Sequence, residues 1–439
     1  MTTTAAPTDH RPVALPSFLR DRTYLLYVGA NSVSLVGDAA FFVALGWAAA
    51  RLGDPFLTSL VLAAGAVPRA LLLLPGGALV DRYGVRRLML GSDAIRAMIM
   101  LVAAAVVAAA GPGAVILVGI ALLFGVVDAV YLPAASSMPR LLLPAEQMTK
   151  AVSFNQILMR LGPMVGGPLG GFAVAYGGFG LACLVNGVTF LVVFAALLAV
   201  RPRFPSGQEP ARADQPEDAA VEPSDELRTG ALRDGLRYVR RDPILFRVLL
   251  IGALSNVAVA PVAGLAVALR AEESGWGAAG LGWLQGAIGL GAVLGALAVL
   301  VLRDVRRPGV VGMVWIGVQA ACSVGFGLSP TVETAAISLF VMGITFGVAS
   351  AVLSGLTVAR IDHRYLGRTM ALSSVGNLGL VPLSYLAFGA LVAVAGITAS
   401  CVVAAALSLV TCAWASPHLS SARPSASSPD RRAAEKMIR

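Results

Sequence analysis

Charge is the scarcest property of this sequence. Only 13% of its 439 residues are Asp, Glu, Lys or Arg, whereas 57% are hydrophobic, and the mean hydropathy is +0.80. A typical soluble domain carries roughly 25% charged residues. A chain with so few charges cannot cover a surface that faces water, so the composition excludes an ordinary soluble protein. The same composition suits a chain that is solvated by lipid.

Cysteine is also scarce, and the sequence lacks the common catalytic motifs. Cys183, Cys322, Cys401 and Cys412 all fall inside apolar runs with no paired spacing, which indicates neither a disulfide nor a metal site. There is no Gly-Lys-Ser/Thr phosphate loop, no HExxH and no GxSxG. We therefore expect no ATP-driven transport by this chain, no enzyme, no cofactor and no metal. An intramembrane enzyme is the least favoured alternative.

Twelve apolar runs approach the ~20 residues that span a bilayer, which predicts an all-α polytopic membrane protein. The polar segment before the first run has no small-residue cleavage site after it, so we do not interpret it as a cleaved signal peptide. The approximate limits of the runs are 24–50, 56–79, 88–110, 113–135, 152–177, 179–200, 245–269, 279–301, 310–329, 333–357, 368–393 and 396–415.

The basic residues lie in alternate connections between these spans. The odd connections hold only Arg51 and Arg270. The even connections hold Arg82, Arg86, Arg87, Arg140, Lys150, Arg303, Arg306, Arg307, Arg360, Arg364 and Arg368. The positive-inside rule then predicts that the even connections and both termini are cytoplasmic. This distribution also argues against a nucleic-acid partner, despite the net charge of +9. The preference for arginine over lysine favours a G+C-rich bacterial genome, and hence the inner (plasma) membrane of a bacterium.

One long connection divides the chain into two similar halves. Residues 202–243, rich in Pro, Ala and acid, cannot bury enough apolar surface to fold alone and are predicted to be a cytoplasmic linker. An amphipathic helix is predicted from Leu227 to the next span. The linker separates two bundles of six helices, and symmetry of this kind predicts a substrate site near the midplane between them. The domains are a cytoplasmic segment 1–23, bundles 24–201 and 244–416, the linker, and a disordered cytoplasmic tail 417–439.

The connection between spans 2 and 3 reads GGALVDRYGVRR and resembles the signature loop of the major facilitator superfamily. The matching residues are Gly77, Asp81, Arg82, Gly84, Arg86 and Arg87. Val85 departs from the basic residue that is common there. The resemblance implies the fold of this superfamily, with twelve transmembrane helices in two pseudo-symmetric bundles. It also implies a gate: Gly77 would let span 2 pack on the other half, and Asp81 would accept hydrogen bonds that close the cytoplasmic side. The alternative is that the loop only sets topology.

Three looser stretches resemble the drug–proton antiporters of the macrolide-efflux and siderophore-exporter branch. They are NSVSLVGDAAFFVALGW in span 1, LPAASSMPRLLL after span 4 and RLGPMVGGPLGG in span 5. The resemblance implies proton-coupled efflux of small lipophilic compounds by alternating access, as in multidrug resistance. The expected partners are the substrate, protons and the lipid bilayer, and a monomer is expected. The alternatives are an importer or lipid transporter of the same fold, or a non-transporting sensor or scaffold, against which the intact signature loop argues.

Charges inside the spans are confined almost entirely to the first half. Each costs about 2.5–3.5 kcal/mol at the centre of an inserting helix. They are Asp38, Arg69, Asp93, Arg96, Asp128 and Arg160. No histidine lies in a span, so a carboxylate must carry any proton that a membrane residue transfers. We expect Asp38 to be the main proton-coupling residue, with Asp128 as the second candidate. The structural alternative pairs Asp38 with Arg69, Asp128 with Arg160 and Asp93 with Arg96. Arg69 either attracts an anionic substrate group or neutralises Asp38.

Polar and aromatic residues in the spans are candidates for the substrate cavity. Spans 1, 7, 8 and 11 line or adjoin the cavity in the superfamily that the chain resembles, which favours the polar residues Asn31, Asn256, Gln285 and Asn377. Phe41, Tyr131 and Tyr385 are candidates because their rings could contact an apolar compound. The alternative for each polar residue is a hydrogen bond between helices, and for each aromatic residue it is ordinary packing.

Overall fold

A computed structural model describes residues 21–200, 234, 236–301, 308–361 and 365–419. Within these ranges the chain is helical almost throughout and contains no strand. A π-helical turn, Val262–Ala266, joins α6 to α7. The helices are α1 Arg22–Ala50, α2 Pro55–Tyr83, α3 Val85–Ala110, α4 Ala114–Leu142, α5 Ala145–Ala199, α6 Pro243–Pro261, α7 Val267–Glu273, α8 Gly277–Val301, α9 Pro308–Gly327, α10 Val332–Arg360, α11 Leu366–Gly379 and α12 Val381–Leu419.

The helices confirm the predicted membrane protein. Ten continuous helical stretches of the described residues are long and apolar enough to cross a membrane. Two of them, α5 and α12, contain a glycine with positive φ, at Gly178 (67°) and Gly396 (81°), where the backbone leaves the helical conformation. A left-handed residue ends a helix, so each of these two stretches supplies two spans. The twelve predicted spans are thereby recovered, with α6, the π-helical turn and α7 together forming span 7, and α11 and the part of α12 before Gly396 together forming span 11.

Aspartate side chains fix where several spans begin. Asp21, Asp54 and Asp242 each accept hydrogen bonds from the backbone amides of the second and third residues of α1, α2 and α6. Proline follows at the first helical position of α2 and α6, where its missing amide costs nothing. Of the linker predicted at 202–243, the structure describes only residue 234 and residues 236–243, of which 234 and 236–241 are helical ahead of Asp242. The remaining linker, the segment 1–20 and the tail from 420 lie outside the described residues.

Glycine lets neighbouring helices within each half approach closely. A Cβ on Gly166 or Gly170 of α5 would overlap backbone oxygens of α1, and a Cβ on Gly125 of α4 would overlap the carbonyl of Gly65 in α2. The second half repeats the α2–α4 contact between α8 and α10, through Gly291 and Gly343. Small residues allow the close packing that drives helix association in lipid.

The two halves pack together at one end of the molecule and as far as its middle, where a Cβ on Gly289 of α8 would lie 2.5 Å from the backbone of Met164 in α5. We call this end the α1–α2 end, because α1 joins α2 there, and we call the opposite end the α2–α3 end. Towards the α1–α2 end, a Cβ on Gly171 of α5 would lie 2.5 Å from the carbonyl oxygen of Ala278 in α8. A buried apolar core joins Val43 and Ala50 of α1 to Leu265 and neighbouring residues of the second half. The other described cores each lie within one half.

We expect Gly166→Ala to lower the thermal unfolding temperature of the purified protein. The new methyl group would overlap the carbonyl oxygen of Val36, and overpacking of this kind typically costs about 1–3 kcal/mol. Gly29→Ala is the matched control, because a Cβ on this α1 glycine meets nothing within 4 Å. Scanning fluorimetry in detergent measures both variants. Equal unfolding temperatures for the two would contradict the described packing of α1 on α5.

Candidate functional site: a buried charge cluster beside a central cavity

Five of the six charges predicted inside the spans meet in the first half. We call Asp38, Arg69, Asp93, Arg96 and Asp128 the charge cluster. The guanidinium of Arg96 contacts three carboxylates: its Nη2 pairs with Asp93 Oδ1, and its Nη1 lies 3.6 Å from Asp128 Oδ1 and 3.9 Å from Asp38 Oδ2. Arg69 Nη2 lies 2.6 Å from the second oxygen of Asp128. Four helices, α1 to α4, therefore converge on two arginines.

Aromatic rings surround the Arg96 guanidinium, whose side chain is fully buried. Its carbon atom lies 3.5 Å from the ring centroid of Tyr131 and 4.3 Å from that of Phe190. The Tyr131 hydroxyl donates a hydrogen bond of 2.8 Å to Asn31 Oδ1, which ties α4 to α1. Cation–π contacts of a desolvated guanidinium are worth about 2 kcal/mol or more. They help to hold Arg96 where no water solvates it.

Asp38 is the least compensated carboxylate of the charge cluster. Its nearest cation is 3.9 Å away, and the hydrogen bond that it accepts from Asn186 Nδ2 is long at 3.3 Å. Its side chain is 19% exposed, against 8% for Asp128 and none for Asp93. The Thr189 hydroxyl lies 2.8 Å from the backbone carbonyl oxygen of Asn186 and 3.0 Å from its Oδ1, beside the amide that faces Asp38. Asp38 therefore combines the weakest pairing with the best access.

The charge cluster holds one more acid than base. Three carboxylates face two guanidiniums, so the cluster carries one net negative charge when every group is ionised. An uncompensated charge is expensive in a membrane interior. Binding one proton to one carboxylate would make the cluster neutral. The arrangement is thus chemically suited to taking up and releasing a single proton.

The ion pairs differ from those that the sequence predicts. Arg69 contacts Asp128 rather than Asp38, and Arg160 Nη2 lies 3.4 Å from Ser350 Oγ, across the two halves, rather than against Asp128. Because α2 packs closely on α4, Arg69 of α2 lies next to Asp128 of α4. Span 4 continues as a helix to Leu142 through two internal prolines, so Asp128 lies at the middle of α4.

A cavity of about 420 Å³ lies between the two halves, next to the charge cluster. Arg69 belongs to both, and its guanidinium carbon lies 5.4 Å from the ring centroid of Phe42, which also lines the cavity. The second half contributes Ala263 and Gly264 of the π-helical turn, together with Gln285 and Tyr385. Gln285 Nε2 donates a hydrogen bond of 2.6 Å to the Ala263 carbonyl. The volume falls in the range of small-molecule sites.

Only some predicted cavity residues reach this space. Gln285 and Tyr385 line it, whereas Asn31 and Tyr131 bond to each other beside the charge cluster. Phe41 is fully buried against other rings of the first half. Its neighbour Phe42 faces the cavity instead, since adjacent helical residues point about 100° apart.

The two remaining predicted cavity residues contact each other. Asn256 Nδ2 donates a hydrogen bond of 2.8 Å to the backbone oxygen of Asn377, which joins α6 to α11 within the second half. The sequence did not predict that the π-helical turn forms part of the cavity wall. Pro261, which ends α6 directly before this turn, is the residue in the sequence that could have indicated an irregular helix there.

The signature loop holds two helix ends together. Gly84 joins α2 to α3 with a φ of 84°, a conformation that favours glycine. Arg86 donates hydrogen bonds to the carbonyls of Leu197 and Leu198, the last turn of α5. Arginine is favoured at a helix C-terminus, where carbonyls lack helical partners. Arg82 lies over the ring of Tyr83, and Arg87 is exposed.

Gly77 does not make the close contact with the other half that the resemblance implies. A Cβ there meets nothing within 4 Å, whereas one on Gly76 would lie 2.5 Å from the carbonyl of Ala129, in the same half. The physical reason is that the described halves join at the α1–α2 end, and Gly77 lies towards the opposite end. The side chain of Asp81 lies outside the described residues.

The chain belongs to the major facilitator superfamily, whose family model matches residues 28–377. Its curated relatives include the enterobactin exporter EntS of Salmonella choleraesuis, which is 28% identical over 240 residues, covering 53% of this chain and 52% of that protein. EntS of Escherichia coli is 27% identical over the same length. The chain therefore matches about half the length of these relatives.

Solved structures show the same fold at low sequence identity. The nucleoside transporter NupG matches with a TM-score of 0.63 and 13% identity, covering 90% of this chain and 98% of that one. A POT family transporter in complex with a thioalcohol-conjugated peptide matches with a TM-score of 0.65 and 13% identity, covering 89% and 96%. The family makes this chain a multi-pass membrane transporter of small molecules and not an enzyme.

Proposed function

We propose that this chain exports small lipophilic compounds in exchange for protons. The observation that supports this proposal most strongly is that the charge cluster, with one surplus carboxylate, borders the cavity between the halves. Arg69 belongs to the charge cluster and also lines the cavity. A proton that enters the cluster would therefore change the charge beside any bound substrate. Export as the direction is supported by the siderophore exporters among the relatives. The bacterial plasma membrane, with both termini cytoplasmic, is the proposed setting, and the working unit is a monomer.

In the proposed cycle, Asp38 is the proton carrier and Asp128 the second candidate. Asp38 combines partial exposure with weak pairing, so its ionised form is stabilised least. In this cycle, the described structure is one state of alternating access: the halves are joined at the α1–α2 end, and Gly77 at the other end makes no close contact with the second half. In the opposite state, the α2–α3 end closes and the signature loop meets the second half. The Arg160–Ser350 contact bridges the halves from about the middle of the first arm of α5 and would change during closure.

The proposal is tested with purified protein in liposomes that enclose a pH-sensitive dye. An imposed pH gradient supplies the driving force, and a panel of lipophilic antibiotics and siderophores supplies candidate substrates. We expect at least one compound to increase proton movement above that of protein-free liposomes, and proton movement to accelerate that compound's own transport. Folded protein that binds compounds from the panel, yet moves no protons with any of them, would contradict proton-coupled export and favour the sensor alternative.

We expect Ala66→Trp to block transport while the protein still folds. Ala66 lines the central cavity and is only partly buried, so a larger side chain has space to extend into the cavity rather than into a packed core. Filling the cavity should lower both substrate binding and substrate-driven proton movement by roughly tenfold or more, as expected when a pocket loses its ligand volume. Ala66→Ser is the control for substitution at this position. Wild-type transport by the tryptophan variant would exclude this cavity as the substrate site.

A further inference from the structure

A second cavity, of about 790 Å³, lies within the first half at the α1–α2 end. Its walls come from the end of α1, the end of α3 and the two arms of α5 on either side of Gly178. It shares no lining residue with the central cavity. The walls are mostly apolar, and Arg51 is the charged side chain among them. We call this space the α1–α3 groove.

The α1–α3 groove opens towards the side of the molecule that faces lipid. Leu181 and Leu184 on the second arm of α5 line the groove and are exposed apolar side chains, as expected at a surface in contact with acyl chains. The groove reaches inward as far as Ala104, which at 1.5 Å per residue lies about 10 Å from the end of α3. This depth matches the upper part of one lipid leaflet, where the head group gives way to the acyl chain.

Arg51 lies at the mouth of the groove without a carboxylate partner among the described residues. Its side chain is exposed, and the nearest acid in sequence, Asp54, is already engaged in capping α2. Trp47 lines the groove one helical turn earlier. Tryptophan and arginine near a span end are typical of the membrane interface. A guanidinium also binds phosphate oxygens in a bidentate geometry. Arg51 is, moreover, one of only two basic residues in the odd connections of the sequence.

We propose that the α1–α3 groove binds one anionic phospholipid, with its phosphate on Arg51 and an acyl chain along α3 and α5. The unpaired cation at the interface and the apolar walls beneath it complement the two parts of such a lipid. The site is separate from the central cavity, so its occupancy is independent of the proposed proton-coupled export.

Native mass spectrometry of the purified full chain tests this proposal. The protein is mixed with phosphatidylglycerol or with phosphatidylcholine carrying the same acyl chains. We expect one phosphatidylglycerol to be retained in preference to phosphatidylcholine. Arg51→Gln should weaken that binding by roughly tenfold, because a charge-assisted hydrogen-bonded pair is lost, and Arg51→Lys should weaken it less. No preference in the wild type, or the same preference in Arg51→Gln, would overturn the proposal.

Two further variants separate the groove from general surface charge. Ala108→Trp fills the groove from an exposed position and leaves Arg51 in place, so it should also displace the lipid. Arg241→Gln removes an exposed arginine at the opposite end and should retain the lipid. Retention by Ala108→Trp, or loss by Arg241→Gln, would show that the groove is not the site. Displacement of the lipid by glycerol phosphate alone would identify a phosphate site and not a lipid site.

Discussion

Asp38→Asn is expected to reduce substrate-driven proton movement to the level of protein-free liposomes. Asparagine has nearly the same shape and can keep a hydrogen bond to Asn186, but it cannot ionise. The variant therefore fixes the charge cluster at two carboxylates and two arginines, the neutral state that a proton otherwise creates. Folding should be retained, because the substitution removes the least paired charge. The measurement is dye-reported proton flux with a transported compound.

The matched control is Asp54→Asn, which changes a carboxylate outside the charge cluster. Asp54 caps α2, and asparagine caps a helix about as well as aspartate. It should transport like the wild type. Full proton movement by Asp38→Asn would contradict the assigned role. If Asp128→Asn then abolished proton movement, the proton carrier would be Asp128. Protonation of Asp128 would in that case weaken its ion pair with Arg69.

Arg96→Met is expected to prevent stable folding. The side chain is fully buried and is the described partner of Asp93, which is itself fully buried. Removing one partner of a buried ion pair typically costs about 3–5 kcal/mol, because the other charge stays uncompensated. Three carboxylates would then face Arg69 alone. The amount of monodisperse protein and its unfolding temperature in detergent measure the effect.

Two companion variants show whether charge or shape accounts for the loss. Arg96→Lys should recover little, because one ammonium cannot reproduce the fork that contacts Asp38, Asp93 and Asp128 from two nitrogens. Adding Asp93→Asn to Arg96→Met should restore part of the stability, since it removes the buried charge left without a partner. An Arg96→Met protein as stable as the wild type would contradict the described cluster.

The sequence predicts the spans well because the bilayer restricts what can cross it. Backbone polar groups have no water partners in lipid, so a long apolar run is a helix. The turns within α5 and α12 were also predictable, because Gly178 stands between two consecutive apolar runs and Gly396 begins the last one. The presence of charges in the spans of the first half likewise needs only the sequence.

The partners of those charges could not be predicted, because they depend on which helices are neighbours. The structural alternative pairs Asp128 with Arg160, but the close contact between Gly65 and Gly125 brings α2 against α4, and Asp128 pairs with Arg69 instead. The choice between Phe41 and Phe42 depends on the rotation of α1 about its axis. Almost every residue of that stretch is apolar, so no sequence pattern fixes the rotation.

The position of the charge cluster along its helices has an electrical consequence. Asp38, Arg69, Arg96 and Asp128 each lie near the middle of their helix. Moving one elementary charge across the whole bilayer is worth about 2.3 kcal/mol per 100 mV of membrane potential. A proton that reaches Asp38 from either face crosses about half of that drop, or about 1 kcal/mol per 100 mV. In the proposed cycle, the membrane potential would therefore bias both the arrival of the proton at Asp38 and its departure.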